Sequence, residues 1–396
     1  MTAPLTLFDD LRMDLDMAIE LTVQAINAYA HVSSHWVVTF SGGKDSTATL
    51  TVLDWLIAQG RIARPKSLTA LYADTRMELP PLHHAAMGQL AHLAERGVRT
   101  RVVQPPMDKR FWVYMLGRGV PPPGAHFRWC TGIMKLEPMQ AALAELSADL
   151  GQFLVMTGVR IGESAARDAR IAISCSKDGS ECGQGYFQQD IQGQGAMLAP
   201  IVHWRVCNIF DWLTNQTVGY AHGYPTLDVA AIYGGDEAAE INARTGCIGC
   251  PVASRDKGLE VVVQLPEWAH LRPLLELRGL WDEMRADNVR LRKRGERKKD
   301  GSLTGNGDRK GPMTLEARLM FLDRVLDIQA RVNAGKPAHL PVFELINAEE
   351  KARIRHLISV GTWPDRWTGD EPRADEFFYR SQIAEGGQLP LIGDLA

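Results

Sequence analysis

The sequence predicts an α/β protein: a doubly wound parallel sheet followed by a mainly helical C-terminal region. Three observations predict it. Apolar runs of strand type alternate with helix-compatible stretches from Trp36 to Thr157, the turns between them are short, and after about residue 215 long helical stretches replace the alternation. Alternation with short turns is the pattern of a parallel sheet covered by helices.

The elements follow in order. Met17, Leu21 and Ile26 recur at helical spacing, so a helix is expected over 14–30. The β-branched run from Trp36 to Phe40 predicts a strand over 36–41, and a helix follows over 45–58. Ser67 to Ala73 reads as a second strand, 78–96 as a helix, 99–104 as a strand and 108–117 as a short helix. Pro121-Pro122-Pro123-Gly124 breaks the chain into a loop. A helix over 132–148 and a strand over 153–157 complete the alternation. Beyond it, 267–294, 314–332 and 347–359 read as helices, and the Gly-rich polar stretch 300–312 as a mobile loop. Three regions result: an N-terminal helix in 1–32, a sheet domain over 33–215, and a helical region over 216–396 that carries a Cys-x-x-Cys and a basic segment.

A chain of 396 residues has room for two domains, and its 45% apolar and 23% charged content is that of a globular protein. No 18-residue apolar span is present, and Met1 to Asp16 is acidic with no basic start and apolar core. A cytoplasmic protein that does not associate with membranes is expected. Six cysteines argue against a disulfide scaffold and for a metal or redox role. The net charge of −3 hides a basic run, Arg290 to Lys299, with seven Lys or Arg and one Glu. That run either tracks a nucleic-acid backbone or is a solvated helix face.

The richest stretch is Ser41-Gly42-Gly43-Lys44-Asp45-Ser46, between the first strand and its helix. Glycines let the backbone take positive φ and approach an anion closely. Free N–H groups of a first helical turn point at the anion, with the helix dipole behind them. Lys44 adds a cation, and Ser41 and Ser46 add hydroxyls. The spacing is too short for Gly-x-x-x-x-Gly-Lys-Ser/Thr. The string resembles the PP-loop of the ATP pyrophosphatase superfamily, which implies ATP held through its pyrophosphate and cleaved between the α and β phosphates.

Other motifs stand at strand ends, where ligands of such sheets bind. Asp74, in Asp74-Thr75-Arg76-Met77-Glu78, would bind the ATP ribose or hold Mg²⁺; alternatively Asp74 or Thr75 caps the next helix. Gly158-Val159-Arg160, with Glu163, Ser164, Arg167 and Arg170, suits phosphate or sulfate oxygens, or is a salt-bridged helix start. Arg128-Trp129-Cys130 and Lys135 put a thiol among cations, and Cys247-Ile248-Gly249-Cys250 offers two thiolates from one turn. Iron–sulfur, zinc and dithiol chemistry all fit that last spacing.

The order of these motifs resembles the phosphoadenosine phosphosulfate (PAPS) reductase superfamily, over about residues 30–265. Within it the chain is most similar to the DndC/SspD family, the ATP pyrophosphatase-like proteins of DNA phosphorothioate modification. The resemblance implies an adenine nucleotide alpha hydrolase-like fold. It implies ATP bound by Ser41, Gly42, Gly43, Lys44, Asp45, Ser46, Asp74, Gly158 and Arg160, with Mg²⁺. Lys44, Asp45, Arg160 and Arg167 would be catalytic. Arg128, Lys135, Glu163, Ser164 and Arg167 would hold substrate phosphate. Cys130, Cys247 and Cys250, with Cys182, Cys175 or Cys207 as the fourth and Cys182 preferred, would carry a 4Fe–4S cluster or zinc. The implied reaction adenylates a DNA backbone phosphate, and sulfur then arrives from a cysteine desulfurase within a complex of modification subunits. Two departures from the reductases stand out: no cysteine follows Cys250, and Cys130 is followed by Thr131 rather than a second cysteine. Rival readings are an adenylylsulfate or PAPS reductase, an RNA thiolase, and a non-catalytic nucleotide-sensing or DNA-binding subunit.

Overall fold

The computed structural model describes residues 13–162, 186–188, 195–214, 222–234, 246–293 and 311–376. Glu163, Ser164, Arg167, Arg170, Cys175, Cys182, most of the stretch 300–312, and Arg294, Arg297, Lys298 and Lys299 of the basic run lie outside them. Two compact units interleave along the chain. The first is Met1–Pro105, Thr131–Ile248 and Arg255–Ala269; the second is Pro106–Cys130, Gly249–Ser254 and His270–Ala396. The Pro-rich segment after the third strand therefore groups with the C-terminal helices.

The first unit holds α1 (Leu15–Tyr29), β1 (His35–Phe40), α2 (Lys44–Ala58), β2 (Ser67–Ala73), α3 (Pro80–Glu95) and β3 (Arg99–Val103). After these come α4 (Glu137–Leu150), β4 (Phe153–Met156), β5 (Tyr186–Gln188), β6 (Gly195–Ala199), α5 (Val206–Thr214), α6 (Leu227–Ile232) and α7 (Lys257–Val262). The strand order is β3-β2-β1-β4-β6-β5. Five strands run parallel and β5 is antiparallel to β6. Val37 pairs with Thr69 on one side and Val155 on the other. The chain moves outward from β1 to β3, then returns to place β4 on the opposite side of β1. Between β1 and β4 lies the switch point of the topology, where two crossovers leave the sheet in opposite directions and open a crevice.

Strand alternation explains the two helical layers. Val37, Leu71, Phe153 and Val155 share one face and pack under Ala142 and Leu146 of α4. Tyr72 belongs to the opposite face, with its ring centroid 5.7 Å from Phe40 and 6.1 Å from His83 of α3. Coverage on both faces is why β1 and β2 read as unbroken apolar runs. Each fully buried aromatic or aliphatic side chain here contributes about 1.5–3 kcal/mol.

Polar anchors fix the helices at the rim. Trp212 of α5 donates its indole N–H to Thr51 Oγ1 of α2 at 2.9 Å. Trp204 donates to Thr22 Oγ1 of α1 at 2.9 Å. Asp54, buried in α2, accepts from Arg96 Nε at 2.5 Å and from the Tyr224 hydroxyl at 2.5 Å. Burial, then the Asp54 bond, pushes the Tyr224 hydroxyl far above its usual range.

The second unit holds short turns at Met107–Lys109 and Val113–Gly117, then α8 (Leu277–Arg285), α9 (Leu315–Ala334) and α10 (Ala348–Ser359). One continuous helix over 267–294 is not formed. Pro266–Glu276 is a 3-10 segment with Pro273 inside it, and α8 stops where Ala286 turns extended. Proline removes a backbone donor and crowds the preceding turn, so the tighter helix replaces the α-helix there. Past α8, Arg290 and Leu291 form isolated β-bridges with Met313 and Arg373. The basic run is therefore no solvated helix face where it is described. Arg290 and Arg292 are buried, Arg290 donates to the Gly311 carbonyl at 2.6 Å, and Lys293 pairs with Glu371 at 3.3 Å.

Arg318 organises this unit. Its side chain is fully buried and donates to the carbonyls of Met313 at 3.0 Å, Gly117 at 3.4 Å and Thr362 at 2.7 Å. Its guanidinium lies 4.2 Å from the Trp363 ring centroid. Burial pushes its pKa down to about 10, which leaves it charged at neutral pH. Gly119, at φ +77°, makes room: a Cβ there would fall 2.1 Å from the guanidinium. No helix among the described residues is long and apolar enough to cross a membrane. Arg318→Met keeps bulk but leaves three carbonyls without their donor, each costing about 1–3 kcal/mol when buried. A loss of about 3 kcal/mol or more is expected in urea denaturation followed by tryptophan fluorescence; an unchanged midpoint would contradict the organising role.

Candidate phosphate-binding site

The switch point of the first unit presents the loop Ser41–Gly43 at the mouth of α2. Gly42 adopts φ +72°, and a Cβ there would fall 2.8 Å from the Ala86 Cβ of α3. Both facts require glycine. Gly43 is the N-cap in extended conformation, and no side chain caps the helix. The first-turn N–H groups therefore face outward without a capping oxygen, the arrangement that suits an anion. Ser41 and Ser46 spend their hydroxyls on each other, at 3.0 Å. Ser46 also accepts from the Ser41 N–H at 3.2 Å and donates to the Gly43 carbonyl at 3.1 Å. These two serines shape the loop from within.

The charges are organised around Asp45. Its Oδ2 accepts from Lys44 Nζ at 3.0 Å and its Oδ1 from Arg160 Nε at 2.5 Å. Arg160 is 3% exposed and also donates to the Trp204 carbonyl at 3.2 Å. Lys44 Nζ stands 5.1 Å from the Tyr233 ring centroid. Gly158, after β4, lies so close that a Cβ would fall 2.9 Å from the Asp45 carbonyl carbon and the Ser46 nitrogen. Gly158 and Arg160 thus lie against the start of α2, Gly158 through close approach and Arg160 through the carboxylate. Tyr233 and the Trp204 carbonyl were not legible in advance, because both come from distant segments with no motif around them.

The end of β2 forms a second acidic corner. Asp74 accepts from the Arg76 N–H at 2.8 Å and from Gln104 Nε2 at 2.7 Å. The first bond holds Arg76 in the left-handed conformation, at φ 60°. Asp74 and Thr75 do not cap the next helix: α3 starts after Leu79, with proline in its first turn and no side-chain cap bond. Thr75 instead donates its hydroxyl to Glu78 at 2.6 Å. Burial pushes the Glu78 carboxyl above its usual range, against the lowering effect of Lys135. Burial, with Glu78 and Asp74 nearby, likewise raises the Tyr72 hydroxyl. Glu78 forms an antiparallel bridge with Cys247, and Ile248 N donates to the Met77 carbonyl at 2.7 Å.

The remaining predicted residues fall in both units. Lys135 is exposed, in the turn Thr131–Leu136 of the first unit. Arg128 is exposed and belongs, with Cys130 and Cys250, to the second unit, while Cys247 belongs to the first. Cys207 is exposed in the first turn of α5. Among the described residues no three His, Cys, Asp or Glu side chains come together as a metal site. Cys182, Cys175, Glu163, Ser164 and Arg167 lie outside the described residues. Mg²⁺ is usually held by one or two carboxylates plus phosphate oxygens. Asp74 suits that use, since a carboxylate has about four acceptor positions and two donors are bound here.

Two uncharacterized proteins of Methanocaldococcus jannaschii are each 25% identical to the chain. One match runs over 241 residues, 61% of this chain and 41% of that protein. The other runs over 229 residues, 58% and 44%. The chain thus spans about two fifths of the length of these curated relatives. Among solved structures, a phosphoadenylyl-sulfate reductase from Candida auris in its phosphate complex is 14% identical, at TM-score 0.34, over 53% of this chain and 90% of that one. The U34-tRNA thiolase NcsA from Methanococcus maripaludis, with its 4Fe–4S cluster, is 13% identical at TM-score 0.31, over 73% and 84%. Neither likeness is close enough to carry an argument about this chain. The family model for the phosphoadenosine phosphosulfate reductase domain matches residues 35–227, the segment that holds the six-stranded sheet, the phosphate loop and the clamp of Asp45 by Arg160.

Proposed function

We propose that the chain is an ATP pyrophosphatase that adenylates a DNA backbone phosphate for sulfur incorporation. The observation that carries this reading is the uncapped start of α2 behind Gly42 and Gly43, with Lys44, Asp45 and Arg160 at its mouth. Backbone N–H groups fixed in advance stabilise charge as it develops on a leaving group without reorganising. In the proposed step a non-bridging oxygen of the DNA phosphate attacks the α-phosphorus of ATP. The bond to the β-phosphate oxygen breaks, and pyrophosphate departs into the loop. Lys44 exchanges Asp45 for a phosphate oxygen, while Arg160 keeps Asp45 in place. Mg²⁺ at the phosphates and Asp74 would neutralise charge. The adenylated phosphate is then open to a persulfide sulfur from a cysteine desulfurase partner, AMP leaves, and a second thiol releases the sulfur by disulfide exchange. Arg128, Lys135 and Arg167 are assigned to substrate phosphate in this reading, within a complex of further subunits. No step passes through an iron–sulfur cluster.

A second reading has a specific observation behind it: the family model matched by residues 35–227 is that of a sulfonucleotide reductase domain. Products separate the two. With ATP, Mg²⁺ and DNA, the first reading expects pyrophosphate, with AMP released once a persulfide donor is added; sulfite released from an adenylylsulfate by a thiol donor would favour the second.

Lys44→Ala is expected to lower the rate of pyrophosphate formation about 10²–10³-fold, the cost of one preorganised charge-stabilising donor. Activity within a factor of two of wild type would remove Lys44 from the step. Gly158→Ala forces the β4 loop off the Asp45–Ser46 backbone, against which its Cβ has no room. ATP binding measured by calorimetry is expected to weaken about ten-fold or more, for overpacking of about 1–3 kcal/mol. Wild-type affinity would show that the close approach is not needed.

A further inference from the structure

We propose that the tight turn Gly124–Phe127 of the second unit is a contact surface for a nucleic-acid strand, with Phe127 stacking on a base and Arg128 meeting a neighbouring phosphate. The inference deepens the proposed function, because it rests on a nucleic-acid substrate and names an element that holds it.

Composition is the first ground. From Lys109 to Cys130 there is no Asp or Glu, and Lys109, Arg110, Arg118 and Arg128 alternate with Phe111, Trp112, Tyr114 and Phe127, with Trp129 following; Arg110 is paired with Glu350 of α10 and Arg118 lies 5.3 Å from the Tyr114 ring centroid. Basic residues interleaved with aromatics, without acids, suit a polyanion whose bases offer flat faces. Four of the aromatics are already engaged. Phe111 stacks on Trp129 at 5.5 Å, Trp112 on Trp281 at 5.5 Å, and Tyr114 lies 4.7 Å from Trp129. Phe127 differs: it is 48% exposed at the tip of the turn, beside exposed His126 and Arg128. Among the described residues no carboxylate pairs with Arg128.

Rigidity is the second ground. A single exposed phenylalanine on a mobile loop would mean little. Here Gly124 N donates to the Phe127 carbonyl at 3.3 Å and Phe127 N to the Gly124 carbonyl at 3.1 Å, closing a two-residue hairpin. Both ends are tied down. Trp129 Nε1 donates to the Pro121 carbonyl at 2.9 Å, and Arg285 donates to the carbonyls of Pro123 at 3.1 Å and Pro251 at 2.9 Å. An aromatic ring held out on a fixed base loses little freedom on binding, so its contact is retained as affinity.

The test is fluorescence anisotropy of labelled single-stranded DNA and single-stranded RNA of the same sequence with the full chain, at several salt concentrations. Phe127→Ala is expected to weaken binding about ten-fold, the loss of one stacked base, and Phe127→Trp to keep it. Arg128→Gln is expected to weaken binding and to reduce the salt slope by about one. The strand that shows these effects identifies the substrate class. Wild-type affinity in both Phe127→Ala and Arg128→Gln, or no binding of either strand by the unaltered protein, would overturn the proposal. Calorimetric ATP affinity of Phe127→Ala is expected to match wild type. ATP binding together with absent strand binding would sink this inference and leave the nucleotide site standing; lost ATP affinity in Lys44→Ala with strand binding kept is the converse signature.

Discussion

The carboxylate of Asp45 ties the first unit together at its switch point. Lys44 approaches from the same helical turn and Arg160 from the loop after β4. Burying a guanidinium without a counter-charge costs several kcal/mol, so Asp45 at the start of α2 favours the conformation of Gly158–Arg160. The converse also holds: the helix start is positioned by the β4 loop, which comes within van der Waals contact of its backbone because residue 158 has no side chain. Strand order, loop geometry and charge placement are thus one arrangement. Moving β4 to another place in the sheet would leave Arg160 without its partner.

In the second unit buried arginines donate to backbone carbonyls, with the charges of Asp287 near Arg290 and of Glu316 near Arg318. Arg318 and Arg290 are buried cations whose partners are mostly backbone carbonyls, and each joins segments distant in sequence. A planar guanidinium presents several donors at once, which lysine cannot do, so two residues replace what would otherwise be a larger apolar core. This use of arginine is why the basic run Arg290 to Lys293 misled as a surface feature: charge count says nothing about which carbonyls lie within reach.

Much of the parallel sheet was legible because β1, β2 and β4 are covered on both faces and therefore read as unbroken apolar runs. The short strands β5 and β6 were not legible. β6 is five residues beginning with glycine, and its stability comes from pairing with β4 rather than from its own sequence. The helix expected over 267–294 failed at Pro273, which the apolar periodicity ran through, and again where Ala286 turns extended. At the candidate site, the turn before α2 was legible, since glycine at positive φ and a helix start with no capping side chain leave a local signature. What Asp74 does was not, because the turn it holds depends on Arg76 in the left-handed region and on Gln104 from the next strand. Glu78 stood in the same string, but its burial beside Lys135 and its bridge to Cys247 are tertiary facts.

The Lys44–Asp45 contact has a further consequence. With one carboxylate and two cations in mutual contact, the side chains at the loop carry a surplus of a single positive charge, to which the start of α2 adds roughly half a charge more. A singly charged anion is a poor competitor for Lys44 against a carboxylate already in place. In the proposed function the greater charge of a pyrophosphate group would draw the ammonium away and leave Asp45 to Arg160 alone. Under the proposed function the loop would act as a charge filter: its backbone donors would take a small oxyanion by shape, while its lysine would respond only to a more highly charged one. Added salt erodes the second kind of discrimination and leaves the first intact.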